Sequence, residues 1–168
     1  MTYSSLPDLA KLWSISPNAI PTPLELDCFH TWLDLEYFCI PAPVCFTAKP
    51  VSLDKCKQIF KRFNVLFVSS EHNEPNTRLF TKVQNLRFRA LHDWHHIQAN
   101  ADATLTGEVI AFYEARKTAP AFIHWILFSE IVLQAAVAIH TGSFPEQKLV
   151  KHPELCRTYQ FTGNRGAK

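Results

Sequence analysis

Residues 87–116 decide the fold that the sequence predicts: they run RFRALHDWHHIQANADATLTGEVIAFYEAR. Apolar side chains recur every three or four positions on both sides of a polar break at residues 100–104, which predicts two helices joined by a turn. We place the first helix between residues 76 and 99 and begin the second at Thr104 or Thr106. Because the break lets the chain double back over few residues, the two helices should be antiparallel neighbours.

The apolar run at residues 119–140 predicts a third helix that is buried. Pro120 suits the first turn of such a helix, and Gly142 suits its C-terminal cap. Glu130 lies near the centre of the run, and a carboxylate in the middle of a bilayer costs about 2.5–3.5 kcal/mol on insertion scales. The run therefore predicts a core helix and not a membrane span.

Composition favours one helical domain. The chain has 168 residues, of which 47% are hydrophobic and 19% charged, enough to build a core without disulfides. Its four glycines are fewer than a fold with many tight turns needs. Residues 24–38 and 52–63 add two helical patterns, while the short apolar run 65–68 fits either a strand or a helix end. We expect an all-α fold, a single-domain multi-helix bundle. Its parts are a proline-rich segment at 1–50, a metal-site core at 76–142 and an irregular tail at 144–168.

The charge balance and the cysteines argue against two classes of protein. With 17 basic and 15 acidic residues, the net charge of +2 is too even for binding nucleic acid by neutralising phosphates. The five cysteines are odd in number and lack a Cys-x-x-Cys pair, so they predict reduced thiols rather than a disulfide framework. The N-terminus lacks the basic stretch followed by an apolar run that marks a secretory signal. We expect a cytoplasmic protein, and the sequence leaves its oligomeric state open, a homodimer included.

Four residues of the quoted stretch carry side chains that bind metals: His92, Asp93, His96 and Glu108. His92 and His96 are one helical turn apart, so both imidazoles project from the same face. Asp93 lies about 60° around the helix from His96 and can either bind the ion or orient a histidine by hydrogen bonding. Glu108, in the first turn of the second helix, should face the histidines. The sequence thus predicts a metal site between two antiparallel helices.

Two imidazoles with one or two carboxylates form a mixed nitrogen and oxygen site, which suits Zn²⁺, Fe²⁺ or Mn²⁺ better than Ca²⁺ or Cu⁺. With only three or four protein ligands, a coordination position could stay open for water or substrate, and an open position distinguishes a catalytic metal site from a structural one. Asp93 and Glu108 are the candidate catalytic residues, because either carboxylate can activate a metal-bound water. His95 points about 100° away from His96 and is the natural substitute ligand if Asp93 only orients a histidine.

Arg87 and Arg89 precede these ligands. They form either a solvated helix face or a clamp for a phosphate or carboxylate near the metal.

Over the stretch from Arg87 to Glu108 the sequence resembles the coenzyme Q biosynthesis protein 4 family of ubiquinone synthesis, whose members carry His-Asp-x-x-His, eleven further residues and then Glu. The matching residues are His92-Asp93-Trp94-His95-His96, residues 97–107 and Glu108, preceded by Arg87-Phe88-Arg89.

The resemblance implies an all-helical fold and a divalent metal, usually zinc, held by the four motif residues. It also implies a hydrophobic cavity for a prenyl lipid, attachment to a membrane surface, and removal of the ring carboxyl group from ubiquinone precursors. In that case the metal polarises a carboxylate or ring oxygen, an arginine assists, and the pocket is lined by Phe112, Trp125 and Phe128. Two alternatives stay open: a metal-dependent hydrolase, and a lipid-binding or scaffold protein with a structural metal.

Overall fold

The computed structural model describes residues 5–71, 73 and 79–158. Over these residues the chain is mostly helical and has one small two-stranded sheet. It forms two compact units, one made of residues up to Ile20 together with those from Ala103 onward, the other of Pro21–Asp102. The prediction of a mostly helical fold is confirmed. The fold is not all-α, however, because the described residues include a two-stranded sheet. The bundle and the single-domain organisation stay predictions.

The unit Pro21–Asp102 packs three helices with the sheet. Its elements are α2 (Pro23–Phe38), β1 (Val44–Thr47), α3 (Leu53–Phe63), β2 (Leu66–Ser69) and α4 (Lys82–Gln98). The two strands are parallel, with Val44 opposite Leu66, and α3 is the crossover between them. Helix α4 packs against α2, α3 and β2. Phe29 and Phe88 meet in the core with ring centroids 5.9 Å apart.

Local signals account for most boundaries in this unit. Ser52 caps α3 through a hydrogen bond from the Lys55 amide, as its sequence predicts. The run that fitted either a strand or a helix end is β2, whose backbone finds hydrogen-bond partners in β1. Helix α4 begins later than predicted, after Thr81, whose side chain forms a capping box with Gln84. The cap predicted near residue 76 lies outside the described residues.

The other unit is built around a nearly continuous helical run. Its elements are α1 (Leu6–Ile15), α5 (Leu105–Arg116), a 3₁₀ turn (Ala121–Ile123), α6 (His124–Leu127), a π-helical segment (Phe128–Leu133), α7 (Gln134–Thr141) and α8 (Pro153–Thr158). Helix α5 packs on the π-helical segment, and α1 packs on α7. Helix α8 falls in the tail predicted to be irregular, where six residues are too few for a periodic signal.

The run Ala121–Thr141 is long and apolar enough to cross a membrane, but 67% of its most apolar window is buried inside the protein. That burial supports the prediction of a core helix. Pro120 precedes the 3₁₀ turn rather than an α-helical turn. The run ends at Gly142, whose φ of 76° is the left-handed conformation that glycine adopts without strain.

Candidate metal centre

The two histidines are placed by the last turns of α4. The capping box at Thr81 fixes the start of this helix, and the buried Leu91 anchors its inner face. His92 and His96 follow on that helix, one turn apart and on one side. His96 is 1% exposed, whereas His92 is half-buried. The local sequence therefore suffices to bring the two rings together.

The geometry of the pair is that of two ligands to one ion. The Nε2 atoms of His92 and His96 lie 3.2 Å apart, and the two rings meet edge to face with centroids 4.5 Å apart. If each nitrogen were about 2.05 Å from an ion, as in zinc sites, the pair would subtend an angle of about 100° there. That angle lies between the octahedral and tetrahedral values, so the separation of the two nitrogens is compatible with one shared ion.

Glu108 lies in the first turn of α5. Thr104 caps this helix by accepting a hydrogen bond from the Gly107 amide, and the Glu108 amide donates to the Thr104 carbonyl over 2.9 Å. A carboxylate at a helix N-terminus is favoured by the helix dipole. The Glu108 residue is only 9% exposed, and a buried carboxylate is stable only where protons, donors or cations compensate its charge.

The side chains of His92, His96 and Glu108 form a group that could hold a metal ion. Two imidazole nitrogens and one carboxylate oxygen make up the mixed nitrogen and oxygen donor set predicted from the sequence.

Asp93 is not part of this group. Its charge instead acts on two neighbours: it counteracts the lowering of the Arg89 pKa, and it adds to the raising of the Cys56 pKa. Burial is the larger cause in both cases, and it raises the pKa of the Cys56 thiol to about 11. The sequence left open whether Asp93 binds the ion or orients a ligand, and the orienting role stays a prediction.

The two arginines have protein partners. Arg87 donates to the Asp34 carboxylate over 2.6 Å and lies over the rings of Tyr37 and Phe38. Arg89 is half-buried, which lowers its pKa, and it donates to the Glu71 carbonyl oxygen. Both guanidinium groups thus tie α4 to neighbouring segments of its own unit, so the clamp for an anionic ligand stays a prediction.

The three predicted pocket residues belong to the core. Phe112, Trp125 and Phe128 are 0%, 3% and 1% exposed. Phe112 of α5 meets Phe128 of the π-helical segment edge to face, with centroids 5.2 Å apart. The Lys151 ammonium lies 4.7 Å from the centre of a Trp125 ring. These contacts are those of packed side chains and do not by themselves define a ligand pocket.

No protein-family model, curated protein or solved structure matches the chain. The resemblance to the coenzyme Q biosynthesis protein 4 family therefore rests on the motif residues alone. What these residues bind and do has to be argued from their geometry.

Sequence reasoning missed the contacts behind His96. Its Nδ1 lies 3.4 Å from the Ala101 carbonyl oxygen, and the Lys57 ammonium reaches the same oxygen. Asn100, at the end of a periodic stretch, is a signal for a left-handed helix cap and hence for a returning chain. Lys57 lies 44 positions before Ala101. No local pattern could have indicated that contact.

Proposed function

We propose that this chain binds one divalent metal ion through His92, His96 and Glu108. The observation that carries the proposal is the 3.2 Å separation of the His92 and His96 Nε2 atoms. Two imidazole nitrogens approach so closely either to share a proton or to share an ion. The Glu108 carboxylate in the same group supplies the negative charge that a divalent ion requires.

Zinc fits this donor set best. Two imidazoles and one carboxylate match the ligand set of several catalytic zinc sites, whereas Ca²⁺ and Mg²⁺ prefer oxygen ligands throughout. Fe²⁺ also binds two histidines and a carboxylate in some enzymes, so it is the competitor. Structural zinc sites have four protein ligands, whereas catalytic sites have three and an open position. Three ligands here favour a site that takes water or a substrate as its fourth ligand.

The substrate class follows from that open position. A divalent ion with one free position binds a carboxylate or phenolate oxygen of a small molecule. The resemblance supports a prenylated aromatic acid as this molecule and removal of its ring carboxyl group as the reaction, in which CO₂ leaves and a proton takes its place. A hydrolase would need a base beside a metal-bound water. Asp93, one carboxylate offered for that role, is not among the residues of the metal-binding group, which favours the first reaction.

Metal content tests the binding proposal. The full-length protein is loaded with Zn²⁺, desalted and measured by elemental mass spectrometry, alongside His96→Ala, Glu108→Ala and the control His140→Ala. His140 is exposed and lies on α7, so its loss should not affect binding. We expect close to one ion per chain in the native protein and the control, and a sharp loss in the other two. Equal loss in all three variants, or none bound by the native protein, would overturn the proposal.

The reaction is tested separately. The zinc-loaded protein is incubated with a prenylated hydroxybenzoate, and CO₂ release is measured with and without a chelator. We expect release that depends on the metal and disappears in Glu108→Ala. A fully loaded native protein that releases no CO₂ would refute the decarboxylation and leave metal binding standing.

A further inference from the structure

We infer that Lys57 and the Ala101 carbonyl hold His96 in the one ring tautomer that presents a lone pair to the metal. The inference rests on the metal site proposed above and adds a positioning residue to it. The evidence for it is the turn that ends α4, and the presence of metal ligands on that helix does not explain this turn. All the residues involved belong to the unit Pro21–Asp102.

The turn returns the chain over the ring of His96. Asn100 has a φ of 52°, the left-handed conformation that asparagine adopts more easily than most residues. The Ala101 amide donates to the His96 carbonyl over 2.9 Å, and the Asn100 amide donates to the Ile97 carbonyl over 3.1 Å. This pair of bonds is the Schellman motif. It places Ala101, which is 3% exposed, directly after the turn and beside His96.

The Ala101 carbonyl selects the tautomer of His96. Its oxygen lies 3.4 Å from Nδ1, and a carbonyl oxygen can only accept a hydrogen bond. The proton of the neutral ring must therefore be on Nδ1 for this contact to be favourable. Nε2 then carries the lone pair, and Nε2 is the atom that faces His92. Metal-binding histidines commonly donate their other ring N–H to a carbonyl in this way.

Lys57 fixes the position of that carbonyl. Its ammonium, on α3, donates to the Ala101 oxygen, and α3 packs on α4. A carbonyl oxygen has two lone pairs, so it accepts from Lys57 and from His96 together. Without the lysine, a buried carbonyl would be held only by the turn. Lys57 thus acts on the metal through the orientation of His96 and does not itself touch the ion.

Pairs of variants at Lys57 and Asn100 distinguish the positioning of His96 from simple packing of α3 on α4. Lys57→Met removes the donor but keeps the length of the side chain, whereas Lys57→Arg restores a donor. Asn100→Val disfavours the left-handed turn, and Asn100→Gly permits it. Lys55→Met is the matched control, since Lys55 lies exposed on the same helix.

Two measurements are made on the full-length protein. Long-range proton–nitrogen NMR correlations report which nitrogen of His96 carries the proton in the metal-free protein. Titration with Co²⁺, followed by its visible absorption, gives the affinity. We expect the Nδ1–H form in the native protein. Co²⁺ affinity should fall about 10- to 100-fold in Lys57→Met and Asn100→Val, and should return in Lys57→Arg and Asn100→Gly.

Each failure points to a different conclusion. An Nε2–H form in the native protein would refute the tautomer inference even if no variant folds. Unchanged Co²⁺ affinity in a folded Lys57→Met would refute the role of the lysine, as would an equal loss in Lys55→Met. A native protein with the Nδ1–H form that binds no Co²⁺ would refute the proposed metal site, and with it this role of the turn, while the tautomer assignment would stand.

Discussion

Glu108 and Glu130 are both buried glutamates, exposed by 9% and 7%, yet their surroundings differ in kind. Glu108 shares its group with two imidazoles, whereas the partner found for Glu130 is the Gln147 amide, which donates to Oε2 over 2.8 Å. Among the described residues, Glu130 Oε1 has no hydrogen-bond partner. Burial raises the pKa of Glu130 to about 7. Burial alone therefore does not make a carboxylate a metal ligand; nitrogen ligands beside it do.

The largest effect on the stability of the protein should come from adding metal. A ligand that binds only the folded state at a thousandfold excess over its Kd stabilises that state by about 4 kcal/mol. We expect Zn²⁺ to raise the midpoint of thermal unfolding in the native protein and in Glu130→Gln, but not in Glu108→Gln. Differential scanning calorimetry with and without a chelator measures this. A rise of the midpoint with Zn²⁺ that persists in Glu108→Gln and is absent in Glu130→Gln would contradict these roles of the two glutamates.

Glu130 should make the stability of the protein depend on pH. Its pKa is raised from 4.5 to about 7 on folding, so the unfolded chain ionises first as the pH rises. The contribution of Glu130 to the free energy of unfolding should be highest below about pH 4.5 and should fall between about pH 4.5 and 7. It should then stay constant, a loss of about 3 kcal/mol.

Urea unfolding of the metal-free protein at a series of pH values tests this. Glu130→Gln keeps the shape of the side chain but cannot ionise, so it should remove most of the slope over that pH window. An unchanged slope in this variant would assign the pH dependence to other groups.

A smaller effect is expected at Asp93, a carboxylate of the motif that lies outside the metal-binding group. Asp93→Asn should leave zinc content unchanged, because Asp93 is not among the residues of the metal-binding group. It should lower the free energy of unfolding by about 1 kcal/mol, since a half-buried arginine loses an opposite charge. Zinc loss as large as in Glu108→Gln would show that Asp93 is a ligand after all.

The candidate ligands could be predicted from the sequence because their spacing is a property of one helix and one turn. His92 and His96 are a helical turn apart by chain geometry, and Thr104 fixes the start of α5 and hence the position of Glu108. Asp93 sits on the same helix, but whether it faces a metal depends on the segments around it. The charge of Asp93 acts on Arg89 and Cys56, and periodicity does not reveal these neighbours.

Long-range contacts could not be predicted in the same way. Arg87 pairs with Asp34, 53 positions earlier, and a local reading left this arginine free to hold an anion. The strands β1 and β2 are four residues each and become stable only through pairing across α3. Hydrophobic periodicity predicted one helix in this region and could not reveal the π-helical segment around Glu130.

The central claim, that His92, His96 and Glu108 hold one divalent ion, is tested most directly by anomalous diffraction. Crystals of the full-length protein loaded with one equivalent of Zn²⁺ are measured on both sides of the zinc edge. We predict a single peak about 2.0–2.2 Å from both Nε2 atoms and from a Glu108 carboxylate oxygen. A peak bound elsewhere, such as at Glu130 or a cysteine, or no peak in loaded crystals, would contradict this account.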